Sequence, residues 1–572
     1  MKVLRDIMSP ARDGVLLAVD VYMPDEGGPF PTIAVRTPYE KSRWEQQHRY
    51  GKEYQNPERF VAAGYAVAVQ DCRGTGNSQG KYFPWRDDAA DGYDFIEWIA
   101  GQEWSTGKIG AMGSSNLGSV QFQYASECPP HLTTICPCGT SNHVPFFRHG
   151  IMNLAGASIW YLQQADRAVK RPDLAPETRE ILQKRIDDIK ADMDKQYRWL
   201  PLKDVPLAHM EETGIQPFYN EWLSHAGEPW YWTDMKLPAP IRNIKVPVLL
   251  LTFWYDHLAK DILDAYHELK NHGTRIVQDN LHLYIGPWRK YPGIESGETD
   301  EWDNGRTQTD ILIEWFDYWL KGIMTPIMEK PPVFYHTMGK VKYYYGETWP
   351  LPQTKFTPYY FASEKGANSA DGDGRLQMEI PTDGKAFDKY DYDPADPVPC
   401  RSGIVISPGD SLRQSQEVVE CRNDVLVYST DVLEKNVTVV GPIEVNLWAA
   451  SSAMDTDFTA KLVDVREDGS TYNITEGIIR CRFREGLDRA KPLIPGAIYC
   501  YQINMGGTGM VFQKGHKIRV EIASSNFPKH DRNMNTGHAI GEDAEGIVAH
   551  QTIYHDADHP SYIMLPIQPV SD

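Results

Sequence analysis

The stretch Ile109-Gly110-Ala111-Met112-Gly113-Ser114-Ser115-Asn116-Leu117-Gly118 passes from an apolar run through small residues into a helix-like pattern over 119–126. A strand, a sharp turn and a helix in that order are the parts of a nucleophile elbow, in which small neighbours let the chain bend around a serine at the helix N-terminus. Ser115 is the candidate nucleophile. The match to Gly-x-Ser-x-Gly is incomplete, because Leu117 stands in the second glycine's place and Gly118 follows it. Read alone, such a segment is more often just a βα loop.

The flanking chain supplies the sheet that such an elbow needs. Short apolar runs at 32–35, 65–69 and 109–112, with an amphipathic pattern over 89–100, imply βαβ units and a parallel sheet. The strand signal returns at 246–252 and 281–285, so residues 240–348 are expected to complete an α/β domain begun by residues 1–144. Between them, 145–239 carries a charged helical pattern over 176–200 and the aromatic bulk of Trp160, Tyr161, Trp199, Trp222, Trp230 and Trp232. This insertion is expected to be a helical lid over the mouth of the site, the alternative being a subdomain that only adds core. Its aromatic residues suggest an apolar or ring-containing ligand. From 349 to 572 the helical pattern gives way to alternation such as Ile443, Val445 and Leu447 and to runs at 458–465 and 517–522, which predict a β-sandwich or jelly roll.

Composition narrows the partners. A chain of 572 residues exceeds the roughly 250–300 that one core spans, so two to three domains are expected. With 78 acidic against 58 basic side chains and no basic tract, a phosphate backbone would be repelled, which argues against nucleic acid. No run of about 18 apolar residues offers a membrane span. Met1-Lys2-Val3-Leu4-Arg5-Asp6 puts charges where a secretory signal needs an apolar core, so a cytoplasmic protein is expected. Eight cysteines are too sparse for a disulfide framework, and the Cys136-x-Cys138 pair reads as buried filler rather than a zinc site. Asp87-Asp88, Asp371-x-Asp373 and Asp455-x-Asp457 read as solvated turns without calcium-loop spacing, and 71–80 lacks the Gly-x-Gly-x-x-Gly frame. No metal or cofactor is called for, and no heptad seam declares an oligomer.

Several further segments surround the elbow: Arg36-Thr37-Pro38-Tyr39-Glu40-Lys41, Asp71-Cys72-Arg73-Gly74-Thr75-Gly76-Asn77-Ser78-Gln79-Gly80, and Glu97-Trp98-Ile99 with Gln102-Glu103-Trp104. Later come Phe253-Trp254-Tyr255-Asp256, Gly286-Pro287-Trp288, Asp455-Thr456-Asp457-Phe458 and Gly515-His516-Lys517-Ile518-Arg519. In this order they resemble the cocaine esterase and Xaa-Pro dipeptidyl peptidase superfamily of serine hydrolases, which includes α-amino acid ester hydrolases and cephalosporin acylases. The likeness covers nearly the whole chain. It implies an α/β-hydrolase fold with a helical lid and a C-terminal jelly roll, and a small-molecule ester or amide cleaved through an acyl-enzyme. Position by position, it implies Ser115 as nucleophile, Asp256 as triad acid, and the Tyr39 hydroxyl with the Asn116 backbone N–H as oxyanion hole. Asn116 stands where the family usually has tyrosine.

The departure lies at the base. The family reads Gly-Pro-Trp, one residue, then histidine, whereas here the frame gives Gly286-Pro287-Trp288-Arg289-Lys290. Histidine takes and returns a proton near neutrality. An unperturbed lysine at pKa ~10.4 is neutral in only about one molecule in 2,500 at pH 7, a handicap of roughly 4.6 kcal/mol. Three outcomes stay open: desolvation lowers the Lys290 pKa into Ser-Lys chemistry, another histidine (His143, His149, His257 or His282) serves, or Lys290 stays a cation. In the last case the protein is a diverted member, a lyase, isomerase or cyclase, or a binding protein without turnover.

Overall fold

The computed structural model describes residues 1–42, 57–148, 150–171, 174–213, 215, 217–286, 306–340, 342–382, 386–401 and 415–569. Its first sheet has ten strands in the order β1-β2-β4-β3-β5-β6-β9-β10-β11-β12. They are β1 (Lys2–Pro10), β2 (Leu16–Met23), β3 (Phe30–Thr37), β4 (Ala66–Asp71), β5 (Ser105–Ser114), β6 (Leu132–Cys138), β9 (Val248–Phe253), β10 (Leu281–Gly286), β11 (Val333–Thr337) and β12 (Lys342–Gly346). The two-residue strands β7 (Phe147–Arg148) and β8 (Ile151–Met152) form a separate hairpin.

From β4 to β11 neighbouring strands are parallel, and the expected 32–35, 65–69, 109–112, 246–252 and 281–285 runs fall on β3, β4, β5, β9 and β10. β4, β9 and β10 are buried along their full length, which is why they read as continuous apolar runs. Side chains alternate between two cores: Ile109 and Ala111 of β5 pack with Phe95, Ile96 and Val120, while Met112 packs with Cys136, Trp315 and Phe316 on the other face. Gly110 makes the second packing feasible, since a Cβ there would lie 2.6 Å from the Phe316 ring. Cys136 and Cys138 are buried in β6, as apolar filler should be.

Asp371 and Asp373 lie in a surface turn as expected, but the other two aspartate pairs differ. Asp88 is buried on Arg36, and Asp455 and Asp457 are buried on Arg482 and Arg480 rather than solvated. The paired arginines, far away in sequence, are what let those carboxylates leave water.

The insertion folds as helices over Leu154–Ala168, Pro176–Ala191, Met193–Arg198, Phe218–Ser224 and Pro229–Asp234. A β-sandwich follows, with eleven described strands from Lys355 to Ile567, antiparallel except where Arg375–Gln377 meets Leu426–Ser429. It grips the insertion at a buried joint. Met152 donates its N–H to Asp531 at 2.6 Å, while Arg480 bonds Asp457 and Asp531 and also reaches the Gly150 carbonyl. No described helix is long and apolar enough to cross a membrane.

Candidate active site

Ser115 joins β5 to the helix Asn116–Ser126, all eleven residues of which are buried. Its backbone sits at φ 62°, ψ −127°, a conformation that costs an L-residue on the order of 1–2 kcal/mol. Surrounding hydrogen bonds over-determine it. The Ser115 N–H reaches the carbonyls of Cys138 and Gly139 at 3.0 and 3.2 Å, and its own carbonyl accepts from the Thr140 hydroxyl at 2.6 Å and the Ser119 N–H at 3.0 Å. Two glycines make the bend possible. A Cβ on Gly113 (φ 155°) would lie 2.4 Å from Leu117 Cβ, and one on Gly118 would lie 2.8 Å from Thr140 Cγ2. The close approach thus falls on Gly118, which explains why Leu117 is tolerated where a glycine was expected.

Tyr39 comes two residues after β3, its N–H bonded to Thr37 Oγ1 at 3.0 Å. Trp160 Nε1 donates to the Tyr39 hydroxyl oxygen at 3.0 Å, and the Arg167 guanidinium lies 4.9 Å from the ring centroid. Glu40, next in the chain, has φ 68°, and Trp85 has φ 62°. Two of the strained non-glycine residues, Trp85 and Ser115, therefore line one cleft, with Glu40 next to its Tyr39. Tyr39, Trp85, Ser115, Asn116, Trp160 and Leu258 line a narrow cleft, whose enclosed part has room for little more than one water-sized sphere (≈ 10 Å³).

Asp256 follows β9 and is buried, with Oδ1 accepting the Leu258 N–H at 2.8 Å. Its Oδ2 has no hydrogen-bond partner among the described residues. The Asn116 N–H belongs to the first residue of its helix and has no intrahelical acceptor, so it faces outward with the helix dipole behind it. Phenol, N–H and strained serine are thus gathered around one cleft.

Lys290, with Pro287 and Trp288, lies outside the described residues, as does His149. The other three histidines differ sharply. His257 Nδ1 is 3.5 Å from Asp256 Oδ1. His143 is half-buried and its N–H bonds Ser141 Oγ at 3.0 Å. His282 is near the start of β10, edge-on to Trp315 at 5.1 Å, and burial pushes its pKa down to about 4. It lies on the face opposite the elbow helix, among structural contacts.

That burial has a measurable consequence. The unfolded chain protonates His282 near 6.5, whereas the folded chain resists until about 4, so stability present above pH 6.5 is lost as pH falls towards 4. Between pH 7 and pH 5 the loss from this group is about 2 kcal/mol. Denaturant unfolding at both pH values should show His282→Leu shrinking the pH-dependent loss by about that amount; an unchanged loss would contradict the assignment.

Of the six insertion aromatics, Trp160 reaches the cleft. Trp222 is buried against Phe218 and Trp85, Tyr161 against Phe218, and Trp232 against Phe147, while Trp230 is 58% exposed and Trp199 half-buried. Helical tryptophan spacing therefore marks core more than pocket. Trp85 and Phe146 line the cleft without any sequence pattern announcing it.

Comparison with known proteins fits this geometry. Residues 13–291 match the X-Pro dipeptidyl-peptidase (S15 family) model, and residues 326–564 match the X-Pro dipeptidyl-peptidase C-terminal non-catalytic domain. The chain is 35% identical over 586 residues to cocaine esterase of Rhodococcus sp., covering 99% of this chain and 98% of that protein. Among solved structures it resembles an α-amino acid ester hydrolase (TM-score 0.78, 24% identity, 99% and 96% of the two chains). An aminopeptidase from a marine sediment Thaumarchaeota archaeon is similar in fold as well (TM-score 0.79, 23% identity, 99% and 97%).

Proposed function

The chain belongs to the cocaine esterase and X-Pro dipeptidyl-peptidase family of serine hydrolases, and from that premise we propose that Ser115 attacks the carbonyl carbon of a small-molecule ester and carries its acyl group. The observation that carries the reading is the strained, hydrogen-bond-locked Ser115 backbone at the mouth of an aromatic cleft. As the Ser115 Oγ–carbon bond forms, its proton passes to a base and the carbonyl oxygen becomes an oxyanion. The Asn116 N–H and the Tyr39 O–H stabilise that charge. Trp160 Nε1 donates to the Tyr39 oxygen and fixes the phenol beside Ser115, where its O–H donates to the developing oxyanion. The leaving alcohol departs with the proton, and water then repeats the sequence to release the acid.

In this reading the insertion is a lid whose Trp160 closes the cleft, and the acyl group packs against Phe146, Trp160 and Leu258. Asp256, with Oδ2 turned to no described partner, orients the base. The family frame gives that role to Lys290, and a lysine, protonated at pH 7, holds wild-type activity low. His257, 3.5 Å from the same carboxylate, is the second reading for the base.

A panel of para-nitrophenyl esters tests the proposal. Slow but saturable hydrolysis is expected, and Tyr39→Phe should lower kcat by about 10²–10³ with little change in KM, as loss of an oxyanion donor does. Absence of turnover on every ester would favour a diverted, non-hydrolytic chemistry, and an unchanged kcat in Tyr39→Phe would remove the phenol from the mechanism.

A further inference from the structure

Two residues that line the cleft beside Ser115 carry buried polar atoms with no hydrogen-bond partner among the described residues. Asn116 is 3% exposed, and neither its Oδ1 nor its Nδ2 meets a hydrogen-bond partner among the described residues. Trp85 is 1% exposed and its Nε1 is equally unpartnered there, while stacking on Trp160 at 5.6 Å and contact with Trp222 at 5.5 Å hold the ring. The strained φ of 62° at Trp85 is maintained with that ring in place. Leaving such groups unpaired is unfavourable, so a molecule supplying the complementary donor and acceptor gains by entering.

The remaining lining restricts which molecule that is. Among the described residues, none of those lining the cleft is an Asp, Glu, Lys, Arg or His. Against these aromatic walls an ammonium or carboxylate carried by the acyl chain would lose its water and meet no counter-ion among the described lining residues. A hydroxyl suits the site: its proton goes to Asn116 Oδ1, and its oxygen accepts from Trp85 Nε1. The cleft is narrow, which favours a short chain.

Resting on the Ser115 reading above, we propose that the preferred substrate is an ester of a short hydroxy acid, whose neutral hydroxyl is read by the Asn116 side chain and Trp85 Nε1. The residue after the nucleophile then serves twice, its N–H in the oxyanion hole and its carboxamide as the specificity group.

The test compares para-nitrophenyl esters of lactate and 3-hydroxybutanoate with those of propionate and butanoate. In the wild type, kcat/KM for at least one hydroxylated ester should exceed that of its deoxy partner by about tenfold or more, because a buried polar site discriminates against the analogue lacking the group. Asn116→Leu should bring the ratio close to one, and Trp85→Phe, which keeps the ring and removes the N–H, should reduce it. A merely structural role would change both rates together and leave the ratio alone. Calorimetry with the four free acids on wild-type protein provides a readout independent of turnover and of any variant's folding. If no ester is hydrolysed, the Ser115 reading fails while tighter binding of a hydroxy acid still supports this one. Equal rates within each pair, a ratio unmoved by Asn116→Leu, or equal binding, absence of binding included, overturns it.

Discussion

Ser115→Ala should abolish the greater part of ester turnover, and the size of the loss is itself informative. In serine hydrolases with an intact triad, removing the nucleophile costs about 10⁶ in kcat. A lysine neutral in about one molecule in 2,500 at pH 7 has already forfeited more than three of those decades. The expected loss in this protein is therefore about 10²–10³, measured with an activated ester. The substitution is clean, since the Ser115 backbone, not its side chain, makes the bonds that lock the elbow. A variant with wild-type rates would mean that the observed hydrolysis occurs elsewhere.

The second large effect runs in the opposite direction. Lys290→His should raise kcat/KM by about 10–10³, because an imidazole supplies a base whose pKa lies near the working pH. The two proteins should also differ in pH profile. A cationic lysine loses its proton about tenfold more often per pH unit, so the wild-type rate should climb steadily from pH 7 to pH 9. The histidine variant should reach its plateau near pH 7. In the Lys290→His background the cost of Ser115→Ala should grow towards about 10⁶, since nucleophile and base act as a unit. A strong wild-type rate with an apparent pKa near 7, lost in Lys290→His, would show a depressed lysine acting as base. A rate indifferent to Lys290 but lost in His257→Gln would transfer the role to His257, the histidine placed against the Asp256 carboxylate.

Legibility followed burial. β4, β9 and β10 are covered on both faces, and their uninterrupted apolar runs stand out in the sequence. β1 and β12 are edge strands, largely exposed or half-exposed, and their mixed charged and aromatic composition hides them. The elbow was readable because tight turns restrict residue type. Gly113 and Gly118 are required by contacts 2.4 and 2.8 Å from an added Cβ, and the displacement of the second glycine by one position finds its reason only in the approach of Thr140.

Constellations of distant residues left no such trace. Trp160 reaches Tyr39 across 121 positions, and nothing local distinguishes it from Trp222, which is core. The buried aspartates at 88, 455 and 457 looked like turn residues because their arginine partners are far away in sequence. The place of Asn116 after the nucleophile points to its backbone N–H, whereas its unpaired carboxamide depends on the cleft around it.

Mass spectrometry of the protein after exposure to a fluorophosphonate tests the central claim most directly. One adduct per chain is expected on the peptide containing Ser115, formed slowly in the wild type and faster in Lys290→His, with loss of ester turnover in step with labelling. Folded protein that remains unlabelled while hydrolysing esters, or an adduct on any other residue that accounts for the lost activity, would contradict an acyl-enzyme on Ser115.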